Sequence, residues 1–354
     1  MLKRIVRAGI RYGLRRNRVR RVVEAELANH RVPLMEGAAT GQFFVDRYGV
    51  NHPLDPDLRD RLKPGWRAML DPTSAARPPS ADELRDRARR AADKVMEAEQ
   101  VVASLTGRSL AGRLLEIGCY DGAVAFQLAR RDRTQVVASD LAQYYVVEQP
   151  GRAKEGDLAA QQAVLEALRE RTRLTANVPS GAVRFVEDDI SASALEPEGF
   201  DAVVSFEVLE HVRSPLAAFT SMARLLAPGG VGYHDYNPFF SVVGGHSLCT
   251  LDMPWGHARL APADFERYLT DLRPAEGEQA LRFYRESLNR LAIADLRQAV
   301  ANAGLELVAL LPWPDRDLAA DLTPQIVSEV QRAYPSATVE DLLATFVSVV
   351  VRKP

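Results

Sequence analysis

Between residues 105 and 351 the chain alternates short apolar runs with amphipathic stretches, and that rhythm predicts strands and helices in turn. The runs at 114–117, 134–140, 182–186 and 200–206 are predicted as strands, with a weaker fifth at 231–235 and two more at 305–311 and 346–351. Helices are predicted at 123–129, in a polar insertion at about 156–174, and at 215–226, where Pro228-Gly229-Gly230 is a stop signal. A long helix is predicted over 281–303, capped by Gly304. Acids close the successive strands, at Asp140, Asp188-Asp189 and Glu207. Strand–helix alternation of this kind predicts a doubly wound, mostly parallel α/β sheet.

Upstream the pattern changes. Leu2, Val6, Ile10 and Leu14 recur every four residues with Ile5 beside them, and arginines fill the other face, so residues 1–30 are predicted as a basic amphipathic helix. Prolines at 33, 53, 56, 64, 72, 78 and 79 predict an irregular wrap or lid over 31–80. Ser80-Ala81-Asp82-Glu83 then starts a helix, with acids in its first turn, that runs to about Leu105. The organisation is a basic N-terminal helix (1–30), an irregular and helical extension (31–104) and a main domain (105–354) that carries an insertion at 236–280.

Charge sharpens this division. The whole chain sums to −2, yet residues 1–23 hold nine Lys or Arg and no acid. The remaining 36 basic and 47 acidic residues leave an excess of eleven negative charges. Any contact with a polyanion therefore belongs to the N-terminus: a foot on an anionic membrane, a touch on nucleic acid, or a solvated arm packed on the body. The acidic body argues against nucleic acid as a partner. Two cysteines, Cys119 and Cys249, exclude a disulfide framework and a four-cysteine zinc site, and point to a reducing compartment. No apolar run reaches about 18 residues, so no membrane span is expected. Together these predict a cytoplasmic protein, with peripheral contact at the inner membrane surface through residues 1–23 as one of the three readings of that segment.

The chemistry-bearing stretch is Leu114-Leu115-Glu116-Ile117-Gly118-Cys119-Tyr120-Asp121-Gly122. A strand that turns sharply on glycine into a helix presents backbone N–H groups at the strand's carboxyl end, where open α/β sheets bind nucleotide-like ligands. Asp140 lies 18 residues past Gly122, roughly the spacing at which an acid meets ribose hydroxyls in such folds.

Taken in order, Glu116-Ile-Gly118-Cys-Tyr-Asp-Gly122, Asp140, Asp188-Asp189-Ile190, Phe200-Asp-Ala-Val-Val-Ser-Phe-Glu207-Val-Leu-Glu-His211 and Leu226-Ala-Pro228-Gly-Gly230 resemble a class I S-adenosylmethionine-dependent methyltransferase. The resemblance covers about 105–351 and implies a Rossmann-like seven-stranded sheet whose last strand is antiparallel. It implies that Glu116, Gly118, Cys119, Tyr120 and Gly122 surround the amino-acid end of the cofactor. Asp140 would take the ribose, Asp189 the adenine amino group and Ile190 the ring, and Phe206 would give backbone contact near the sulfonium. Tyr120 stands where the family usually has glycine.

Glu207, Glu210 and His211 sit at i, i+3 and i+4, so a helical turn after the fourth strand would project all three from one face. Two carboxylates and an imidazole suit a hard divalent cation such as magnesium, with His257 as a further ligand. The arrangement is similar to metal-dependent O-methyltransferases: small-RNA 2′-O-methyltransferases carry Glu-x-x-Glu-His plus a later His, and ubiquinone-biosynthesis O-methyltransferases share the first piece. His211 as an unaided base and a purely structural role are the competing readings. His234 and His246 read equally well as ligands or hydrogen-bonded loop residues. The aromatic, glycine-punctuated segment 236–260 is the candidate for acceptor recognition.

The expectation is an S-adenosylmethionine-dependent O-methyltransferase acting on a small molecule, sugar or glycan, possessing catalytic Glu207, Glu210 and His211. RNA ribose methylation, a membrane-held quinone or lipid acceptor, and a non-catalytic cofactor-binding protein are the alternatives.

Overall fold

The computed structural model describes residues 41–67, 78–141, 158–315 and 318–354. The predicted helix at 1–30 lies outside the described residues. The chain is first seen in a small antiparallel hairpin, β1 (Phe43–Val45) and β2 (Asn51–Pro53), followed by a short helix α1 (Leu58–Leu62). This hairpin was not foreseen; three-residue strands are too short to show alternation. Helix α2 (Ala81–Thr106) begins where Ser80 and Glu83 form a reciprocal capping box and ends on left-handed Gly107, matching the sequence signals at both ends.

The main sheet then follows: β3 (Gly112–Ile117), α3 (Ala123–Ala129), β4 (Thr134–Asp140), α4 (Leu158–Thr175), β5 (Val183–Glu187), β6 (Phe200–Phe206), α5 (Pro215–Leu225) and β7 (Leu226–Tyr236). Next come the short helices α6 (His246–Cys249) and α7 (Gly256–Arg259), then α8 (Pro262–Leu272), α9 (Gly277–Glu286) and α10 (Ile293–Asn302). The chain closes with β8 (Glu306–Pro314), α11 (Pro324–Ala333), α12 (Val339–Leu343) and β9 (Ala344–Arg352). The strand order is β5-β4-β3-β6-β7-β9-β8. The first five strands pair in parallel, while β9 runs antiparallel between β7 and β8. This is the Rossmann-like, seven-stranded sheet expected, with its last strand antiparallel. Strands β3 and β6 are buried over most of their length because helices cover both faces of the sheet, as parallel sheets require.

Three main cores result. Helices α2 and α3 cover one face of the sheet, over Leu114, Val204 and Tyr233. Helices α5 and α10 cover the other, over Leu115, Val203 and Val349. A third core stands apart and is built from the hairpin, α1 and the segment after β7; it holds Phe44, Leu58, Phe239, Trp255 and Tyr268. Phe265 and Tyr284 stack within it, with ring centroids 4.0 Å apart. Among the described residues no helix is long and apolar enough to cross a membrane.

One predicted element is corrected. The helix expected over 281–303 is two helices, α9 and α10, broken at 287–292. Its apolar periodicity runs through the break, but Asn289 is claimed by tertiary bonds: its amide donates to the carbonyls of Leu209 (2.5 Å) and Val212 (2.9 Å). Those bonds pin the break against the turn after β6.

Candidate active site

The turn after β3 repeats one backbone state at every second residue. Gly118, Tyr120 and Gly122 all have positive φ, at 72°, 42° and 75°. A Cβ on Gly118 would stand 2.3 Å from Val208 Cγ2, so only glycine fits there. Tyr120 takes the left-handed state without that freedom. It is held there by its N–H donating to Asp140 Oδ2 (2.7 Å) and its carbonyl accepting from Arg169 Nε (2.9 Å). Tyr120 therefore takes a backbone state that glycine would adopt freely, at a local cost of about 1–2 kcal/mol.

Under the turn lies an acidic pocket. Glu116 is buried and its Oε2 has no partner. Burial, then Asp121 and Asp140, push its pKa well above the usual carboxylate range. Asp121 is answered by Arg87 of α2 at 3.0 Å. One turn pair further along the same helix, Lys94 bonds Glu207 at 2.8 Å and lowers the pKa of both Glu116 and Asp235. Cys119 is buried in the core, and its thiol pKa is raised chiefly by burial, so its part in the turn is through its backbone. Asp189 caps the short helical turn at Ile190–Ala192 by accepting from Ser191 N (2.8 Å). Ile190 is packed among core residues beside Leu115 and Val137. Phe206 ends β6, its ring tilted against Tyr233.

The acceptor side differs from expectation in its local geometry. No α-helical turn follows β6: Glu207 has φ 58°, and only Leu209–His211 form a single 3-10 turn. Glu207 is thereby swung away to Lys94, while its N–H donates to the Asp235 carboxylate at 3.0 Å. Glu210 is fully buried. Its Oε1 accepts from both N and Nδ2 of Asn237, at 3.1 and 3.2 Å, and its Oε2 has no partner. His211 donates Nδ1–H to Ser287 O at 2.6 Å, which leaves Nε2 as its basic nitrogen.

The structure brings Glu210 and His211 together with His246 rather than with Glu207 and His257. One ligand atom from each of Glu210, His211 and His246 lies within 4.8 Å of the others. The His211 and His246 ring centroids are 5.2 Å apart, and His246 Nε2 is buried without a partner. His246 reaches this place because Gly244 packs against backbone, where a Cβ would stand 2.2 Å from Phe239 O, and because His246 itself has φ 53°. The predicted ligand His257 bonds Phe239 O at 2.7 Å, edge-on to the Phe239 ring, and burial pulls its pKa down to about 4. His234 sits in the core and bonds Ser205 Oγ at 2.9 Å.

Two further groups escaped the sequence reading. Asp235, at the end of β7, is pushed up to about 8 by burial, with Glu207 and Glu210 adding repulsion and Lys94 opposing it. Lys63, beside α1, is half-buried within electrostatic reach of Glu207, His246 and His257, and burial lowers its pKa. Arg87 and Lys94 of α2 escaped the sequence reading too, although they lie seven residues apart on one stripe with buried Ala91 and Ala98, a spacing visible in the sequence. A cavity of about 430 Å³ adjoins His211, lined by Arg213, Arg285, Leu288 and Asn289.

A doubly wound sheet with an acidic glycine turn and a second polar cluster at its carboxyl edge defines a class of cofactor-dependent transferases. Residues 82–310 match the family model described as a methyltransferase domain, and the chain belongs to that family. It is a class I S-adenosylmethionine-dependent methyltransferase. Among curated relatives, it is 30% identical over 143 residues to a ubiquinone biosynthesis O-methyltransferase of Vibrio cholerae, covering 38% of this chain and 49% of that one. It is 31% identical over 170 residues to the protein of the same name from Xanthomonas campestris, covering 46% and 58%. The chain thus spans about half the length of the curated relatives it matches. Similar solved structures include phosphoethanolamine N-methyltransferase 2 of Haemonchus contortus with S-adenosylmethionine (TM-score 0.41, 16% identity, 73% of this chain and 52% of that one). Another is an S-adenosylmethionine-dependent methyltransferase of Mesorhizobium loti (TM-score 0.41, 15% identity, 72% and 97%).

Proposed function

We propose that the protein methylates a hydroxyl oxygen of a small molecule, sugar or glycan, with a divalent cation such as magnesium held by Glu210, His211 and His246. The observation that carries this reading is the pair of buried, unpartnered atoms, Glu210 Oε2 and His246 Nε2, in one three-residue cluster. Burial raises the pKa of Glu210 and lowers that of His246, so it disfavours charge on both. A cation there favours the ionised carboxylate and keeps the imidazole neutral, which are the two ligand forms. When bound, such an ion supplies Lewis acidity that eases removal of a hydroxyl proton.

The chain's own residues do the remaining work. Asn237 holds Glu210 by two donors and so leaves Oε2 to the cluster. Ser287 fixes the His211 tautomer, so that Nε2 carries the lone pair that would bind the cation, and the acceptor's proton would pass to water. The cavity beside His211 is of a size that takes a small acceptor. On the cofactor side, Glu116, with Gly118, Cys119, Tyr120 and Gly122, would hold the amino-acid end of S-adenosylmethionine; the unpaired Glu116 oxygen suits an ammonium group, and Lys94 and Arg87 suit a carboxylate. Asp140 would take the ribose, Asp189 and Ile190 the adenine, and Phe206 the region of the sulfonium. S-adenosylmethionine supplies a methyl group already activated for transfer. The names of the curated relatives support an oxygen acceptor.

The test is a screen of hydroxylated metabolite and glycan extracts with labelled methyl donor, with and without magnesium. Label should enter an ether and fall away on chelation. Glu210→Gln and His246→Ala should each cut turnover roughly 100-fold or more with S-adenosylmethionine affinity kept, while His257→Ala should act on stability alone. Label on nitrogen would overturn the oxygen acceptor, and full turnover in chelator would overturn the cation.

A further inference from the structure

The hairpin that opens the described chain has an outer face with no role in the site. Along β1, Phe44 is buried while Phe43 and Val45 on either side are 59% and 39% exposed. Exposed Pro53 is the cross-strand partner of Phe43, and Tyr48 at the turn is 55% exposed. Large apolar side chains gathered on one solvent-facing surface are unusual and mark a contact face. The charges around them are cationic. Arg47 and Arg267 share one buried acid, Asp264, and are themselves 46% and 44% exposed; Arg332 lies over the Tyr48 ring at 4.8 Å.

The hairpin is also anchored to the body. Phe44 packs edge-on to Tyr268, His52 bonds Asp46, and Arg259 reaches His52 at 3.1 Å. It therefore presents a fixed apolar wedge, and the nine-cation stretch 3–21 lies a short span upstream in the chain.

We propose that this face is a docking surface for an anionic lipid membrane. Apolar and aromatic residues ringed by arginine match the boundary between headgroups and acyl chains, and the nine cations of residues 3–21 add attraction to such a surface by charge alone. The rest of the chain carries excess negative charge and is repelled by such a surface, so docking is oriented. Position gives the face a purpose. A few residues past β2, Arg59 of α1 donates Nε to Ser247 O (2.8 Å), next to His246, and pairs with Glu276. The acceptor cluster is thus strapped to the docking hairpin. The inference is independent of the acceptor's identity, since binding is read without substrate.

The full chain is floated with phosphatidylethanolamine vesicles, with and without phosphatidylglycerol. Wild type should float only with phosphatidylglycerol and detach as salt rises. Combined Phe43→Ser, Val45→Ser and Tyr48→Ser should weaken partitioning by roughly tenfold or more, with S-adenosylmethionine binding and thermal unfolding unchanged. As a second measurement, an environment-sensitive dye on Val45→Cys should shift to the blue on anionic vesicles; Cys119 and Cys249 are buried and spared the label. Absence of wild-type flotation, equal binding by the triple variant, or an unshifted dye would each overturn the proposal. So would sedimentation showing that the triple substitution dissociates a dimer, because the face would then cover a second copy of the chain.

Discussion

The two halves of the sheet's carboxyl edge solve their binding problems by opposite means. Beneath the β3 turn, nine consecutive residues set the path through backbone, with three positive φ values at alternate positions, and Asp140 and Arg169 anchor the turn from outside. Beyond β6 and β7 the cluster is gathered from Glu210, His211 and His246, with Asn237, Ser287 and Asn289 holding them from different segments. Their electrostatics differ as well. The first half is a pocket of buried acids with an unpaired oxygen, facing Arg87 and Lys94; the second sets one buried carboxyl beside the His246 imidazole, whose charged form burial disfavours. A ligand that never changes can be held by a short local motif. One that differs between enzymes is met by long-range packing, which can be rebuilt without disturbing the first half.

If the halves are independent, Glu116→Ala should weaken S-adenosylmethionine binding by about 2–5 kcal/mol, the usual consequence of removing one partner of a buried charged contact, while divalent-ion binding by the acceptor cluster stays put. Calorimetry on both ligands reads this directly, and a parallel loss of ion binding would break the distinction. The same titration carries a pH signature. The Glu116 carboxyl is raised in the free protein and would be lowered beside a cationic ligand, so cofactor affinity should rise with pH across the acid range.

Asp235, at the seam between the halves, offers the next largest effect. Burial pushes the native carboxyl up to about 8, from an ordinary value of 3.8. Folding therefore takes up a proton between those values, and wild-type stability falls as pH rises through that window by up to about 1.4 kcal/mol per unit. Asp235→Asn has no such proton, so its stability advantage should grow from pH 4 to pH 8 and then level off. Denaturant titrations at several pH values would show it, and a flat difference would mean that Asp235 is ionised in the native state. The smallest effect concerns the turn itself. Tyr120→Gly relieves a left-handed tyrosine but frees the unfolded chain, so stability should change by less than about 1 kcal/mol. A tenfold loss of cofactor affinity in that variant would show that the ring, and not only the backbone, serves the cofactor half.

The same contrast governs what could be read from the sequence. Strands β3, β4 and β6 are apolar runs bounded by turn residues, and the glycine turn is contiguous, so both were visible locally. Nothing local separates His246 from His257; the choice is made by the tight packing at Gly244 and by where the loop returns beneath His211. Glu207 was misplaced because i, i+3, i+4 spacing presumes a helix, and one positive φ at its start turns the side chain to Lys94 instead. The break between α9 and α10 was hidden because helical periodicity continues through it, while the bonds of Asn289 that impose it lie about 80 residues away in sequence.

Arg59 bears on how such enzymes could be recombined. Its guanidinium ties α1 to Ser247 and Glu276, both in the segment after β7. The acceptor apparatus is therefore not a cassette bounded by β7 and β8. A chimera that exchanges only 236–305 would strand a buried cation, and one that carries 41–67 along with it keeps the pair. Specificity in this chain should be inherited, and grafted, as two separated pieces of sequence that travel together.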